Sequence, residues 1–204
     1  LSSRPGDLCL RPPDPGIAGK IVRMAARLGY GLLAVEASDE AWRQASMTCR
    51  ELGLKCVRRV TIKASTSQEA RRILRKVRGA AGIIALRPLG VDAARFAGRD
   101  SRIKLLAGYE ASRYVDRSQR RLLRVGGGAL EADLSRLLHG DIGYIIRLLR
   151  LSAANNIPLV LSSCAEDEWS LWPPRSAASI SALASVPLRL GVEAVYINPW
   201  RVSA

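Results

Sequence analysis

One unit recurs along this chain, and it is clearest between Asn156 and Leu190. Ile157, Pro158, Leu159, Val160 and Leu161 form a short apolar run with no alternation of polar residues. Such a run reads as a strand buried on both faces. A loop follows from Ala165 to Pro174, where Pro173 and Pro174 hold the backbone extended, and Arg175 stands at its far end. From Ser176, a plausible N-cap, Ile180, Leu183 and Ala184 recur at helical spacing. Strand, loop and returning helix make half of a parallel β/α unit. In folds of this kind, function gathers on the loops beyond the carboxyl ends of the strands.

The same unit appears from the start. Strands are predicted at Asp7–Leu10, Leu32–Val35, Val57–Ile62, Ile83–Leu86, Ile103–Ala107, Ala129–Leu134 and the run ending at Leu161, with Val195–Ile197 as a last one. Each of the first seven is followed by a helical pattern. Several helices carry stop signals, such as Gly29 and Gly53. Eight β/α repeats imply a parallel sheet with right-handed crossovers, closed into a barrel. The chain has 204 residues and ends soon after the eighth strand. The expected architecture is therefore a single barrel-like α/β domain over 1–204, a TIM-barrel-like fold with a reduced or missing last helix. An open doubly wound sheet is the alternative.

Several function classes lose support here. Gly126, Gly127 and Gly128 follow a helix rather than a strand, so they read as a helix stop and tight turn, not a dinucleotide fingerprint. Cys9, Cys49, Cys56 and Cys164 make no Cys-x-x-Cys pair and lie far in sequence from the sole histidine, His139, which speaks against zinc. The thiols are expected reduced and packed; a Cys49–Cys56 disulfide is conceivable only in a hyperthermophilic host. No apolar run reaches membrane-spanning length and no signal peptide is evident, so a soluble, cytoplasmic protein without membrane partners is expected. No cofactor is expected on the chain itself.

Charge supplies the positive argument. The formal net charge is +14, from 27 Arg and 5 Lys against 18 acids. Such an excess, carried by arginine, suits phosphate and stacked bases and points to RNA. Arg87 and Arg175 each follow a buried strand, which places them on one rim of a barrel as candidate phosphate contacts, unless rim acids such as Glu36, Glu110 or Glu166 pair with them. Lys63 and Arg59 belong to the third strand and the loop beyond. Arg59 has a second reading: it points into the barrel and neutralises Glu131, a mid-strand carboxylate in need of a partner. A helix predicted over Arg113–Val125 carries Arg113, Arg117, Arg120, Arg121 and Arg124, with Tyr114 among them, and guanidinium and aromatic planes stack on unpaired bases. The basic helix around Arg71, Arg72, Arg75, Lys76 and Arg78 reads as a solvated face. Trp169 and Trp172 stack on RNA, anchor a protein partner, or cover the barrel end together with Trp200. Asp7, Glu36, Glu110 and Glu131 lie where a barrel phosphoesterase keeps metal ligands, but one histidine is too few for such a centre.

Taken together, Asp7-Leu8-Cys9-Leu10, Leu28-Gly29-Tyr30-Gly31, Ile83-Ile84-Ala85-Leu86-Arg87-Pro88, Ala129-Leu130-Glu131-Ala132, Leu159-Val160-Leu161-Ser162-Ser163 and Arg175-Ser176 resemble, in order, the ribonuclease P protein component 3 family. This is the thirty-kilodalton protein subunit of archaeal and eukaryotic ribonuclease P. Ala177 and Ser179 stand where the family usually has proline and aspartate, and the C-terminal part is short. The resemblance implies a barrel that pairs with ribonuclease P protein component 2 and supports ribonuclease P RNA in removing the 5′ leader of precursor tRNA. It also implies that catalysis belongs to the RNA with its Mg2+, leaving this chain without catalytic residues of its own. Against it stand an RNA-binding scaffold of another ribonucleoprotein and a metal-dependent phosphoesterase on the same barrel.

Overall fold

The computed structural model describes residues 4–77, 79, 81–108, 111–115, 123 and 126–204. Seven strands lie in sequence order, every neighbouring pair parallel: β1 (Gly6–Leu10), β2 (Leu32–Val35), β3 (Lys55–Ala64), β4 (Ile83–Pro88), β5 (Ile103–Leu106), β6 (Ala129–Asp133) and β7 (Leu159–Ser162). Between them run α1 (Pro15–Arg27), α2 (Asp39–Glu51), α3 (Ser67–Val77), α4 (Val91–Arg99), α5 (Ala111–Tyr114), the single turn α6 (Ser135–Leu138) and α7 (Ile142–Asn155). After β7 come α8 (Pro174–Ser179), a 3-10 turn (Ile180–Ala184), α9 (Leu188–Val192), a π-helical turn (Glu193–Ile197) and α10 (Asn198–Val202). The result is a nearly closed α/β barrel with flanking helices.

Local chemistry explains the helix starts and stops. Asp14 caps α1, its Oδ1 accepting from Ile17 N at 2.9 Å, and Pro15 supplies a first residue whose missing N–H costs nothing there. Ser38 caps α2 through Ala41 N at 3.3 Å. Gly29 ends α1 with a φ of 87°, a conformation open to glycine without steric cost. Ala18, Ile21, Val22 and Ala25 form the buried stripe of α1 against the sheet.

The strands separate two cores. Outward-facing Ile62, Leu86, Leu106, Leu130 and Leu161 pack under the helices. Inward-facing Leu8, Leu32, Ala34, Ile83, Ala85, Leu105, Ala129 and Val160 fill the barrel. This division follows the two-residue period of each strand.

One expectation is corrected. Val195–Ile197 is part of the π-helical turn, not an eighth strand. The position beside β1 is already taken: Leu10 bridges Ala165 just beyond β7, and Arg11 N donates to Ala165 O at 2.7 Å. Asp7 completes this seam, its Oδ1 accepting from Cys9 N and its Oδ2 from Ser163 N, each at 3.0 Å. The last helix is reduced, as expected, to the five residues of α10. α10 lies across the amino end of the barrel, with Val202 and Trp200 against the interior cluster and Asn198 Nδ2 donating to Leu159 O at 2.8 Å. A smaller adjustment concerns α8, which starts at Pro174 with no side-chain cap rather than after a cap at Ser176; the four cysteines are free, as expected.

Candidate nucleic-acid interface

The carboxyl ends of the strands form the mouth of the barrel, and its floor is ionic. Arg59 lies on the inward face of β3 with a fully buried side chain. Its Nη1 and Nη2 donate to Glu131 Oε1 and Oε2 on β6 at 2.5 and 2.6 Å, and Nη1 also reaches Leu8 O at 2.5 Å. Ser162 Oγ on β7 donates to Glu131 Oε1 at 2.8 Å. One guanidinium therefore ties β1, β3 and β6 together. The inward reading of Arg59 is the correct one, and its candidacy as a direct RNA contact is withdrawn because its side chain is shut off from solvent.

Above this pair lies a second ionic tier. Glu36, just past β2, accepts from Thr61 N and Thr61 Oγ1 at 2.7 and 2.8 Å and from Arg11 Nε at 3.3 Å. Arg11 Nη1 stands 3.8 Å from Asp133 Oδ2 at the end of β6. Asp133 also accepts from Ser135 N and Oγ. Arg11 was not among the residues picked out from the sequence. The signal available was a cation directly after an apolar strand, on the same rim as Glu36.

The carboxylates at this end are thus committed to protein donors. Cys9, Glu131 and Cys164 bring ligand-type atoms within 4.8 Å of one another, but both oxygens of Glu131 hold Arg59. A cation entering there would displace a guanidinium and meet its charge. Glu36 is similarly engaged, and Asp7 is spent on the seam. Burial pushes Asp7 up to about 6 from its ordinary 3.8, with the bonds from Ser163 and Cys9 holding the shift back. Glu110 lies outside the described residues, and His139 is exposed on the turn after α6. The described residues at this end do not fit a hydrolytic metal centre.

Cations crown the mouth. The alternation that turns Val57 and Arg59 inward also turns Thr61 and Lys63 towards it, and on β4 the same step leads from Ile83 and Ala85 to Arg87. Lys63 and Arg87 are register partners on adjacent strands, Lys63 exposed and Arg87 half-buried. Arg175 is exposed in the first turn of α8, reached from the end of β7. A cation there opposes the helix dipole, so helix stability does not account for it. Tyr114 at the end of α5 sends its hydroxyl to Leu89 O, 3.4 Å away, which places it beside the end of β4; Arg113 precedes it and is exposed. Arg78, Arg117, Arg120, Arg121 and Arg124 lie outside the described residues.

Trp169, Trp172 and Trp200 divide the roles considered for them. Trp172 packs partly buried against the core, its backbone N–H donating to Ser163 Oγ at 3.0 Å and its carbonyl oxygen accepting from Tyr30 Oη at 2.8 Å. Trp200 helps cover the amino end of the barrel, its Nε1 donating to Arg4 O at 2.8 Å. Trp169 is exposed. On the barrel's flank, Arg71 lies over the Phe96 ring at 5.2 Å, in a cleft between α3 and α4 that Arg95 and Arg99 also line.

Known proteins supply the remaining comparison. A chain from a cryo-EM structure of archaeal ribonuclease P with mature tRNA superposes with a TM-score of 0.77 over 97% of this chain and 89% of its own length, at 18% identity, a likeness of fold. Ribonuclease P protein component 3 of Aeropyrum pernix is 31% identical over 185 residues, covering 86% of this chain and 85% of that protein. The family model of RNase P subunit p30 matches residues 7–203, from the seam aspartate to the last turn of the helix that closes the barrel. The chain belongs to the ribonuclease P subunit p30 family.

Proposed function

We propose that this chain serves as a protein subunit of ribonuclease P that supports the catalytic RNA in removing the 5′ leader of precursor tRNA. Membership of the p30 family across nearly the whole chain supports that reading. The observation that carries the mechanism is the mouth of the barrel, where a buried Arg59–Glu131 pair occupies the place of a catalytic centre, Lys63 and Arg87 end the strands beside it, and Arg175 is exposed on the helix that follows β7. In this reading the bond-breaking step and its magnesium ions belong to the RNA. The protein supplies fixed cations that lower repulsion between RNA strands, an effect that weakens with salt. Ribonuclease P protein component 2 is the proposed protein partner, and Arg113 and Tyr114 extend the basic surface along the rim.

Precursor tRNA cleavage by ribonuclease P RNA at low magnesium, with and without this chain and component 2, tests the reading. Stimulation that requires the RNA is expected. Hydrolysis by the protein alone would restore the phosphoesterase reading, and absence of stimulation would favour a scaffold in another ribonucleoprotein.

A further inference from the structure

Trp169 presents its indole to solvent at 82% exposure, on a loop that is anything but slack. Asp167 Oδ1 accepts from Trp169 N at 3.0 Å and from Ser170 N at 2.7 Å. Ser170 Oγ accepts from Glu166 N and Asp167 N, each at 3.2 Å. Three residues on, Trp172 fastens the loop to the core through Ser163 and Tyr30. The turn thus fixes the backbone that carries Trp169, while the fold gains almost no apolar burial from the ring itself.

Beside the indole runs the outer face of α1. Lys20, Arg23 and Arg27, spaced at i, i+3 and i+7, form one stripe of that helix and all three are exposed. With Met24, Glu168 and Trp169 they line a cleft of about 310 Å³. The cleft is therefore lined by three cations and a single acid, while Glu166 and Asp167 lie on the same turn outside that lining, Asp167 engaged by the backbone of Trp169 and Ser170.

We propose that Trp169 and this stripe form a stacking site for an unpaired RNA nucleotide, the base lying on the indole and the adjoining phosphates meeting Lys20, Arg23 and Arg27. The inference rests on the chain being an RNA-binding subunit. It adds a site on the barrel's flank, separate from the cations of the mouth. The combination favours RNA over a protein partner. Protein interfaces also enrich Trp, Met and Arg but deplete Lys and Glu, whereas a π-face beside a track of three cations at helical spacing is what single-stranded RNA uses.

Binding of the full chain to a fluorescein-labelled single-stranded oligoadenylate, followed by anisotropy across a salt series, tests the site without ribonuclease P RNA. Trp169→Ala is expected to weaken binding by about 5- to 100-fold with an unchanged salt slope, and Trp169→Phe to retain most of it. Changing Lys20, Arg23 and Arg27 together to Gln should lower the log–log salt slope by about 2. Thermal unfolding of Trp169→Ala should match the parent chain, since the ring contributes little to the core. Equal affinity of Trp169→Ala and the parent overturns the proposal, as does failure of the parent to bind the oligonucleotide at low salt. Loss of component 2 binding in Trp169→Ala with RNA affinity intact also overturns it and assigns the ring to a protein interface. Failure of the ribonuclease P role would show differently: the oligonucleotide would bind through Trp169, but precursor tRNA cleavage would not be stimulated.

Discussion

Arg59 and Glu131 face each other across the barrel interior, each nearly fully buried. Desolvating both charges offsets much of their attraction, so the pair is a weak net stabiliser, yet breaking it is expensive because one charge stays buried alone. Arg59→Met should therefore lower the unfolding free energy by about 3–5 kcal/mol in urea titrations. Combining it with Glu131→Leu should recover much of that loss, and a double variant as unstable as the single one would contradict the account. The pair was legible in the sequence because each member interrupts an apolar strand at an inward position. Arg11 was not legible in the same way. Its engagement with Glu36 and Asp133 depends on closure of the sheet, which brings β1 to the side of β7 and so close to the end of β6. Asp7 is a similar case: nothing local says that it spans a seam.

At the scale of elements, strand and helix order was readable through β7 because buried parallel strands leave uninterrupted apolar runs. The end of the chain misled for a definite reason. Ala194-Val195-Tyr196-Ile197 has the composition of a strand, but the seam between β1 and β7 is already bridged, and Pro199 starts a helix well while it would interrupt a ladder. The C-terminal segment instead packs over the barrel by close backbone approach. A Cβ on Gly191 would lie 2.0 Å from the Ala178 carbonyl oxygen, so α9 touches α8 in a way only glycine permits. Gly191→Ala is expected to cost about 1–3 kcal/mol, seen as a fall of several degrees in the thermal midpoint. Gly143→Ala, at a helical site where a new Cβ meets nothing within 4 Å, should leave the midpoint unchanged or raise it. If both variants behaved alike, the proposed packing of α9 on α8 would be wrong.

Across the whole molecule, an excess of fourteen positive charges surrounds a barrel whose mouth is closed by its own ion pairs. The sign of that charge was plain from composition. Its arrangement was only partly so: Lys63 and Arg87 became neighbours through β3–β4 register, and the flank around Trp169 arose from α1 meeting a loop more than a hundred residues away. In the proposed role this chain contributes cations to an RNA enzyme rather than chemistry of its own. The most direct test is a magnesium titration of precursor tRNA cleavage by the reconstituted enzyme, comparing the parent chain with a variant carrying Lys63→Gln, Arg87→Gln and Arg175→Gln. A higher magnesium midpoint is expected for the variant, with the parent's full rate at saturating magnesium. An unchanged midpoint, or a rate that stays low however much magnesium is added, would contradict it.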